Sequence, residues 1–537
     1  MSKMYAYGLE NNPYPSSPTP TEKDARILGG KRHKEAKSAI VECMKELNRK
    51  VQGRDCADND FRVITVIQDV GSGKTHLALH IKNLKGRYNA ECSFVDLSTI
   101  SPKTMPSIYN AIIQGFDNDF FVQLRTKFLV YLQERAEQGD NYAKKAINYN
   151  VMNRLTGLTI KEKVEDVISG KEHVSIENLK QFLTQRFSYH ESILIKSVIS
   201  NSFENIQNLE ELIGMISAIS KLGHRFLGKI TLLEVDEFDG NKDSIEFVKG
   251  IINSHLPACM LLLISTPSGY AEVQNTNPSV FDRLEKANYK IDLVGSNSKD
   301  ELAEIAVEYI KHNDKHGKFD SQSEEELTDK IQVLYEEFPE FRSVRSLINI
   351  LYHTMEKSEE LGLDKIDENV IDDAVKQTYP GLKVRGSIMN IPISDFIAIK
   401  KICNESYSEK DFKEAVNNLT NLAHEMGSIH KLEKHNLPLD IVYQDPFGAK
   451  VGVVIVTNSN NAENLDHISN ISKSAIVDKL VILTSRKISS PYNATVVNVD
   501  KSKVIDLLYF NSKYNGKNIA ESDNERAGIL AKTLCII

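Results

Sequence analysis

Residues Phe61–Leu79 read FRVITVIQDVGSGKTHLAL, and this stretch decides the fold. Arg62–Ile67 is β-branched and apolar, the pattern of a buried strand. Gln68–Thr75 follows as a loop with glycines at Gly71 and Gly73, and a helix is expected from His76 onward. Strand, glycine loop, Lys-Thr and helix together make the phosphate-cradling P-loop arrangement. Glycines let backbone N–H groups close around phosphate oxygens with no Cβ in the way. The helix N-terminus adds free N–H groups and a positive dipole end. Lys74 is placed to reach the β- and γ-phosphates of ATP, and Thr75 to set its hydroxyl on Mg²⁺. The segment Gln68, Asp69, Val70, Gly71, Ser72, Gly73, Lys74, Thr75 and His76 is therefore the expected nucleotide cradle. One position departs from G-x-x-x-x-G-K-[ST]: its first glycine is Gln68. That glycine serves the turn off the strand, so nucleotide binding is expected to survive with the start of the loop altered.

The bulk numbers bound the rest. A chain of 537 residues holds about three or four domains at the usual size. An apolar fraction of 41% with 26% charged residues is that of a soluble globular protein. Apolar runs such as Ala258–Ile264 are too short to span a bilayer, and the Pro-rich start does not read as a signal peptide. A cytoplasmic location without membrane contact is expected. Six scattered cysteines lack metal spacing and read as free thiols. The formal charge of −8 confines any nucleic-acid contact to a local patch.

Before the P-loop, the leader contains NPYPSSPTPT, an extended segment. Lys31–Val51 carries apolar residues at helical spacing. The run YGLENNPYPSSPTP, then ILGGKRHKEAKSAI, then a P-loop resembles the opening of AAA+ ATPases of the origin-recognition and archaeal replication-initiator type. It is also similar to secretion- and transposition-associated AAA ATPases. The resemblance covers about residues 5–380 and implies that Leu28–Lys31 line the base pocket.

Within that resemblance, Lys229–Gly240 (KITLLEVDEFDG) matches the strand ending in Asp-Glu. Asp236 would hold Mg²⁺, and Glu237 would polarise the attacking water. Glu234, inside the strand, has no role in this pattern. Ala258–Pro267 matches the next strand, whose Ser265 and Thr266 would touch the γ-phosphate or the water. Arg283 matches the arginine that reaches a neighbouring subunit's γ-phosphate, or it ties its helix to nearby acids. Arg345 matches a lid arginine that contacts nucleotide, with Arg342 as the second choice. Asp96 ends the strand Cys92–Leu97 and reads as a turn residue there.

The resulting fold class is α/β: a P-loop AAA+ parallel sheet with a helical insertion and helical lid, plus a C-terminal α/β domain. The expected divisions are 1–58 for leader and first helix, 59–297 for the core with an insertion at about 116–228, 298–385 for the lid, and 386–537 for the terminal domain. Pro380–Ile393 reads as a linker. Ser394–Lys431 reads as helical, followed by four strands. Asp440 followed by KVGVVIVT is similar to the sheet of restriction-endonuclease-like domains. There an acid and a lysine two residues apart are required, and Ile455 and Thr457 stand instead, so cleavage is not expected. The expected cofactors are ATP and Mg²⁺. The expected partners are DNA, other proteins or further copies of the chain.

Overall fold

The computed structural model describes the chain apart from residues 1–3, 18–20, 22, 54–59, 204, 296, 381, 383–386, 394, 397, 401–408, 433–438, 457–475, 485–493 and 515–520. Thr457 lies outside the described residues. The chain divides into two compact units. One holds Pro15–His312 with Ser343–Arg345, and the other holds Met1–Tyr14, Asn313–Arg342 and Ser346–Ile537.

The first unit begins with α1 (Lys31–Val51), β1 (Phe61–Ile67), α2 (Lys74–Leu84), β2 (Ala90–Asp96) and α3 (Met105–Gly115). Seven helices follow: α4 (Asn118–Glu137), α5 (Asn141–Ala146), α6 (Val151–Leu155), α7 (Ile160–Ile168), α8 (Ile176–Thr184), α9 (Tyr189–Ser200) and α10 (Leu209–Leu227). Then come β3 (Ile230–Phe238), α11 (Lys242–Ser254), β4 (Cys259–Ser265), α12 (Pro267–Thr276), α13 (Pro278–Glu285), β5 (Tyr289–Asp292) and α14 (Lys299–Asn313). The five strands form one sheet in the order β2-β3-β4-β1-β5, every pair parallel. Parallel strands carry helices on both faces, so both faces must be apolar. The alternation of β1 shows this: Val63 packs into the core shared with α3, α4 and α10, while Ile64 and Val66 pack against α1 and α2.

The helical insertion is not a separate ball. Its Phe120, Phe128 and Phe182 belong to the same continuous core as Leu233 and Val235 of β3. Stacked and edge-on rings, Phe116 with Phe120 and Phe120 with Phe121, run from the end of α3 into α4. The Arg225 guanidinium lies over the rings of Tyr131 and Phe187.

The second unit contains α15 (Ser321–Glu337), α16 (Val344–Leu361) from Ser346 on, α17 (Glu368–Thr378) and α18 (Glu409–Glu425). The strands β6 (His430–Lys431), β7 (Ile441–Gln444), β8 (Lys450–Val456), β9 (Lys479–Thr484) and β10 (Ala494–Asn498) follow, then α19 (Lys501–Lys513) and α20 (Glu521–Thr533). These strands make a mixed sheet in the order β10-β9-β8-β7-β6. β6 lies inside the stretch read as helical up to Lys431. It is only two residues long, too short to show alternation. Asp440, just before β7, accepts from the Ile455 N–H at 2.7 Å and pairs with Lys413 at 3.0 Å.

The stretch read as a linker is firmly held where it is described. Asp506 of α19 is buried and accepts from the Ser387 hydroxyl, the Ile388 N–H (2.9 Å) and the Met389 N–H (3.0 Å). Burial raises its carboxyl above the ordinary range, while these bonds pull the other way. Asp372 of α17 accepts from the Ile393 N–H at 2.9 Å. Pro and Gly spacing gives no sign of caps supplied by acids elsewhere in the chain. Replacing Asp506 with Ala leaves one buried and one half-buried N–H group unpaired, which costs about 2 kcal/mol. The Asp506→Ala variant should therefore be cut faster than wild type at residues 387–393 in limited proteolysis.

Candidate nucleotide site

The P-loop leaves the C-terminal end of β1 and the Asp-Glu pair ends β3, so a fully parallel sheet puts both on one edge. Open α/β sheets bind ligands at that edge. β4 lies between β1 and β3, which separates the two by about 10 Å, two strand spacings.

The helix starts earlier than the apolar pattern shows. α2 begins at Lys74, and Gly73 precedes it at φ +107°. Gly71 is also left-handed, at φ +77°. A Cβ on Gly73 would lie 3.3 Å from His33 Nε2. The position thus excludes side chains by conformation and by space. It leaves the N–H groups at the start of α2 without intrahelical partners.

The Thr75 hydroxyl donates to Asp236 Oδ2 at 2.7 Å. The Glu237 N–H donates to the other oxygen at 2.9 Å. Asp236 is wholly buried, and that burial raises its carboxyl to about 6 against the lowering effect of these bonds. Lys74, 5% exposed, sends its Nζ to 3.3 Å from Glu237 Oε1. Glu237 is half-exposed and sits at φ +53°, where β3 slips register between Val235 and Phe238. Such a bulge re-aims a side chain at a strand end. A non-glycine residue held left-handed costs on the order of 1–3 kcal/mol.

Other expected residues fall as follows. The Ser265 hydroxyl, at the end of β4, donates to the Phe238 carbonyl at 2.6 Å. Thr266 caps α12 by accepting from the Gly269 N–H. Asp69 accepts from the Gly295 N–H at 2.7 Å, and Val70 is 73% exposed at the tip of the loop. His76 hydrogen-bonds the Ile27 carbonyl and His80 the Ala25 carbonyl, which fastens the leader to α2. Burial lowers the pKa of both imidazoles. Asp96 accepts from the Ser98 N–H and hydroxyl and stands in register with Asp236.

Arg283 is exposed on α13, and among the described residues it has no ion-pair partner. Arg345 is also exposed, in the three-residue segment that groups with the P-loop unit. Arg342 is committed elsewhere, donating to the Tyr335 and Glu336 carbonyls at the end of α15.

Sequence reasoning missed a brace beneath the loop. Gln68 is 1% exposed, and its amide donates to the Ser72 carbonyl (2.9 Å) and to His33 Nε2 (2.7 Å). His33 comes from the first turn of α1. Only the anomalous Gln in a glycine position signalled it. Sequence also gave no account of Glu234. It faces the α1 and α2 side of the sheet, with the Cys92 thiol against it. Neither of its oxygens meets another partner among the described residues. Burial, the largest cause, raises its pKa well above the ordinary range.

A metal and a triphosphate fit these residues. The two oxygens expected at Mg²⁺, on Thr75 and Asp236, already touch, and the loop beside them presents unpaired N–H groups. The fold is α/β, a five-stranded parallel sheet with helices on both faces. No protein-family model matches the chain, and no curated protein matches it. Among solved structures, it is similar to the Aeropyrum pernix ORC2 protein in ADPNP–ADP complexes, at 12% identity over 74% of this chain and 76% of that one, TM-score 0.31. Cdc6p from Pyrobaculum aerophilum is 11% identical over 72% and 74%, TM-score 0.35. Drosophila ORC bound to DNA is 11% identical over 77% and 74%, TM-score 0.32. Similarity this distant leaves any functional reading to the site itself.

Two outcomes are expected. Gly73→Ala should weaken ATP binding at least tenfold, read by fluorescent-nucleotide titration, because both space and φ are violated. The second concerns pH. Burial, the largest cause, and the neighbouring His76 lower His33 from 6.5 to about 4. The folded chain therefore keeps this imidazole neutral where the unfolded chain protonates it. Stability is full above about pH 6.5 and falls by about 3 kcal/mol as pH drops to 4. His33→Gln should flatten that part of the pH–stability curve in urea unfolding.

Proposed function

We propose that this chain binds Mg-ATP at the β1–β3 edge and hydrolyses it to drive a conformational change. The observation that carries this reading is the 2.7 Å hydrogen bond from Thr75 to Asp236, which joins the P-loop to the Asp-Glu strand at one point. Loop N–H groups and Lys74 would hold the phosphates. Mg²⁺, when bound by Thr75 and Asp236, would neutralise phosphate charge. Glu237 would orient water for in-line attack on the γ-phosphate, with Ser265 and Thr266 at the adjoining strand end. Arg283, exposed and unpaired among the described residues, suits an arginine supplied to a neighbouring copy. Arg345 would report the nucleotide state to the helices that follow it.

The proposed setting is work on DNA in the cytoplasm, of the replication, transposition or defence type. It follows from the resemblance of the leader and first helix. Direct DNA affinity should then fall steeply with salt, and an affinity indifferent to salt would remove this part of the reading. A second reading is an assembly switch that acts on protein partners. Nine of the seventeen large apolar side chains left exposed among the described residues lie in the insertion, Val151, Met152, Leu155 and Tyr189 foremost. Where such side chains adjoin one another, they would suit a docking surface. Under that reading ATP changes oligomer size in light scattering with no DNA present.

Glu237→Gln separates binding from turnover. It removes the general base, so phosphate release should fall at least a hundredfold. It also frees Lys74 from its carboxylate partner, so ATP affinity should hold or rise. Equal release by wild type and variant, at background level, would instead identify a non-hydrolysing scaffold.

A further inference from the structure

We propose that Gln68 is a positioning residue for the triphosphate, supported by His33, and that this pair replaces the glycine found at that place in the loop pattern. The inference rests on the ATP reading above and concerns what shapes the cradle.

A trans peptide plane carries its C=O and N–H on opposite sides. The Ser72 carbonyl is drawn toward the Gln68 amide, 2.9 Å away. The N–H of Gly73, on the same plane, must therefore point away from Gln68, to the open side of the loop. The Asp69 carbonyl is engaged by the Ser72 N–H and hydroxyl, which turns the Val70 N–H outward by the same rule. Two donors are thus aimed before any phosphate arrives, and preorganised donors are what anion binding requires.

Gln68 can hold this geometry because it is itself pinned. Its main-chain N–H donates to the Ser265 carbonyl at 3.0 Å, extending the β1–β4 ladder by one residue. The second amide hydrogen goes to His33 Nε2 at 2.7 Å, which fixes that ring in the Nδ1–H tautomer. His33 is 6% exposed and lies close under Gly73, its Nε2 3.3 Å from where a Cβ would sit. One atom is left over: Gln68 Oε1 is buried with no partner among the described residues. A buried amide that sacrifices its acceptor is expensive as mere packing. Here its two donors are the groups in use. A glycine at 68 would supply the turn and neither bond.

The test compares wild type, Gln68→Met, Gln68→Gly, His33→Phe and His33→Gln. Each is titrated with ATP and with adenosine, and each is melted to check the fold. Gln68→Met nearly conserves volume, adds no charge and removes both donors, so it carries the test where Gln68→Gly fails to fold. Gln68→Met should lose at least tenfold in ATP affinity with adenosine affinity unchanged. His33→Phe should lose part of that affinity, and His33→Gln, which keeps an acceptor, should recover it. A Gln68→Met chain that binds ATP as tightly as wild type overturns this inference alone. Equal loss for ATP and adenosine also overturns it, since the defect would then be general. A wild-type chain that binds no nucleotide overturns the ATP reading, and this inference with it.

Discussion

The site depends on a spacing set by strand order. With β4 between β1 and β3, the P-loop and the acidic pair cannot be hydrogen-bonded neighbours in the ladder. They meet only because the loop carries Thr75 over the end of β4 to Asp236. Ser265, at the end of the intervening β4, bonds the Phe238 carbonyl just past the acidic pair. Burying Asp236 completely is tolerable because two donors engage its oxygens. The opposition between desolvation and hydrogen bonding decides its acidity, and desolvation prevails.

The same crossing explains how Lys74 and Glu237 rest. A lysine 5% exposed needs an anion nearby, and the Glu237 carboxylate meets it at 3.3 Å. The left-handed turn at Glu237 brings that carboxylate back toward the loop. Glu234, two residues before Asp236 on the same face of β3, shows the opposite outcome. Among the described residues only the Cys92 thiol stands against it, and burial pushes its pKa well up.

Much of this was legible in the chain. The first helix is bounded by Lys31 and Val51 in the sequence pattern and in the structure. The buried strands at Phe61, Ile230 and Cys259 declare themselves because a parallel strand is apolar on both faces. What sequence could not show depends on neighbours far along the chain. The fusion of the insertion with the sheet comes from Phe120 and Phe128 packing with residues of β3. The brace under the loop joins residues 33 and 68. The capping of residues 387–393 joins Asp372 and Asp506 across more than a hundred residues. The α2 start was misplaced because Lys74 and Thr75 are polar, so helical periodicity appears only after the first turn.

The two acids that fasten residues 387–393 have a mechanical consequence. One belongs to α17 and the other to α19, so the short stretch between them is clamped at both ends. A slack tether would absorb any swing of α17 before it reached the mixed sheet. A stretch clamped at both ends leaves less slack to take up such a swing.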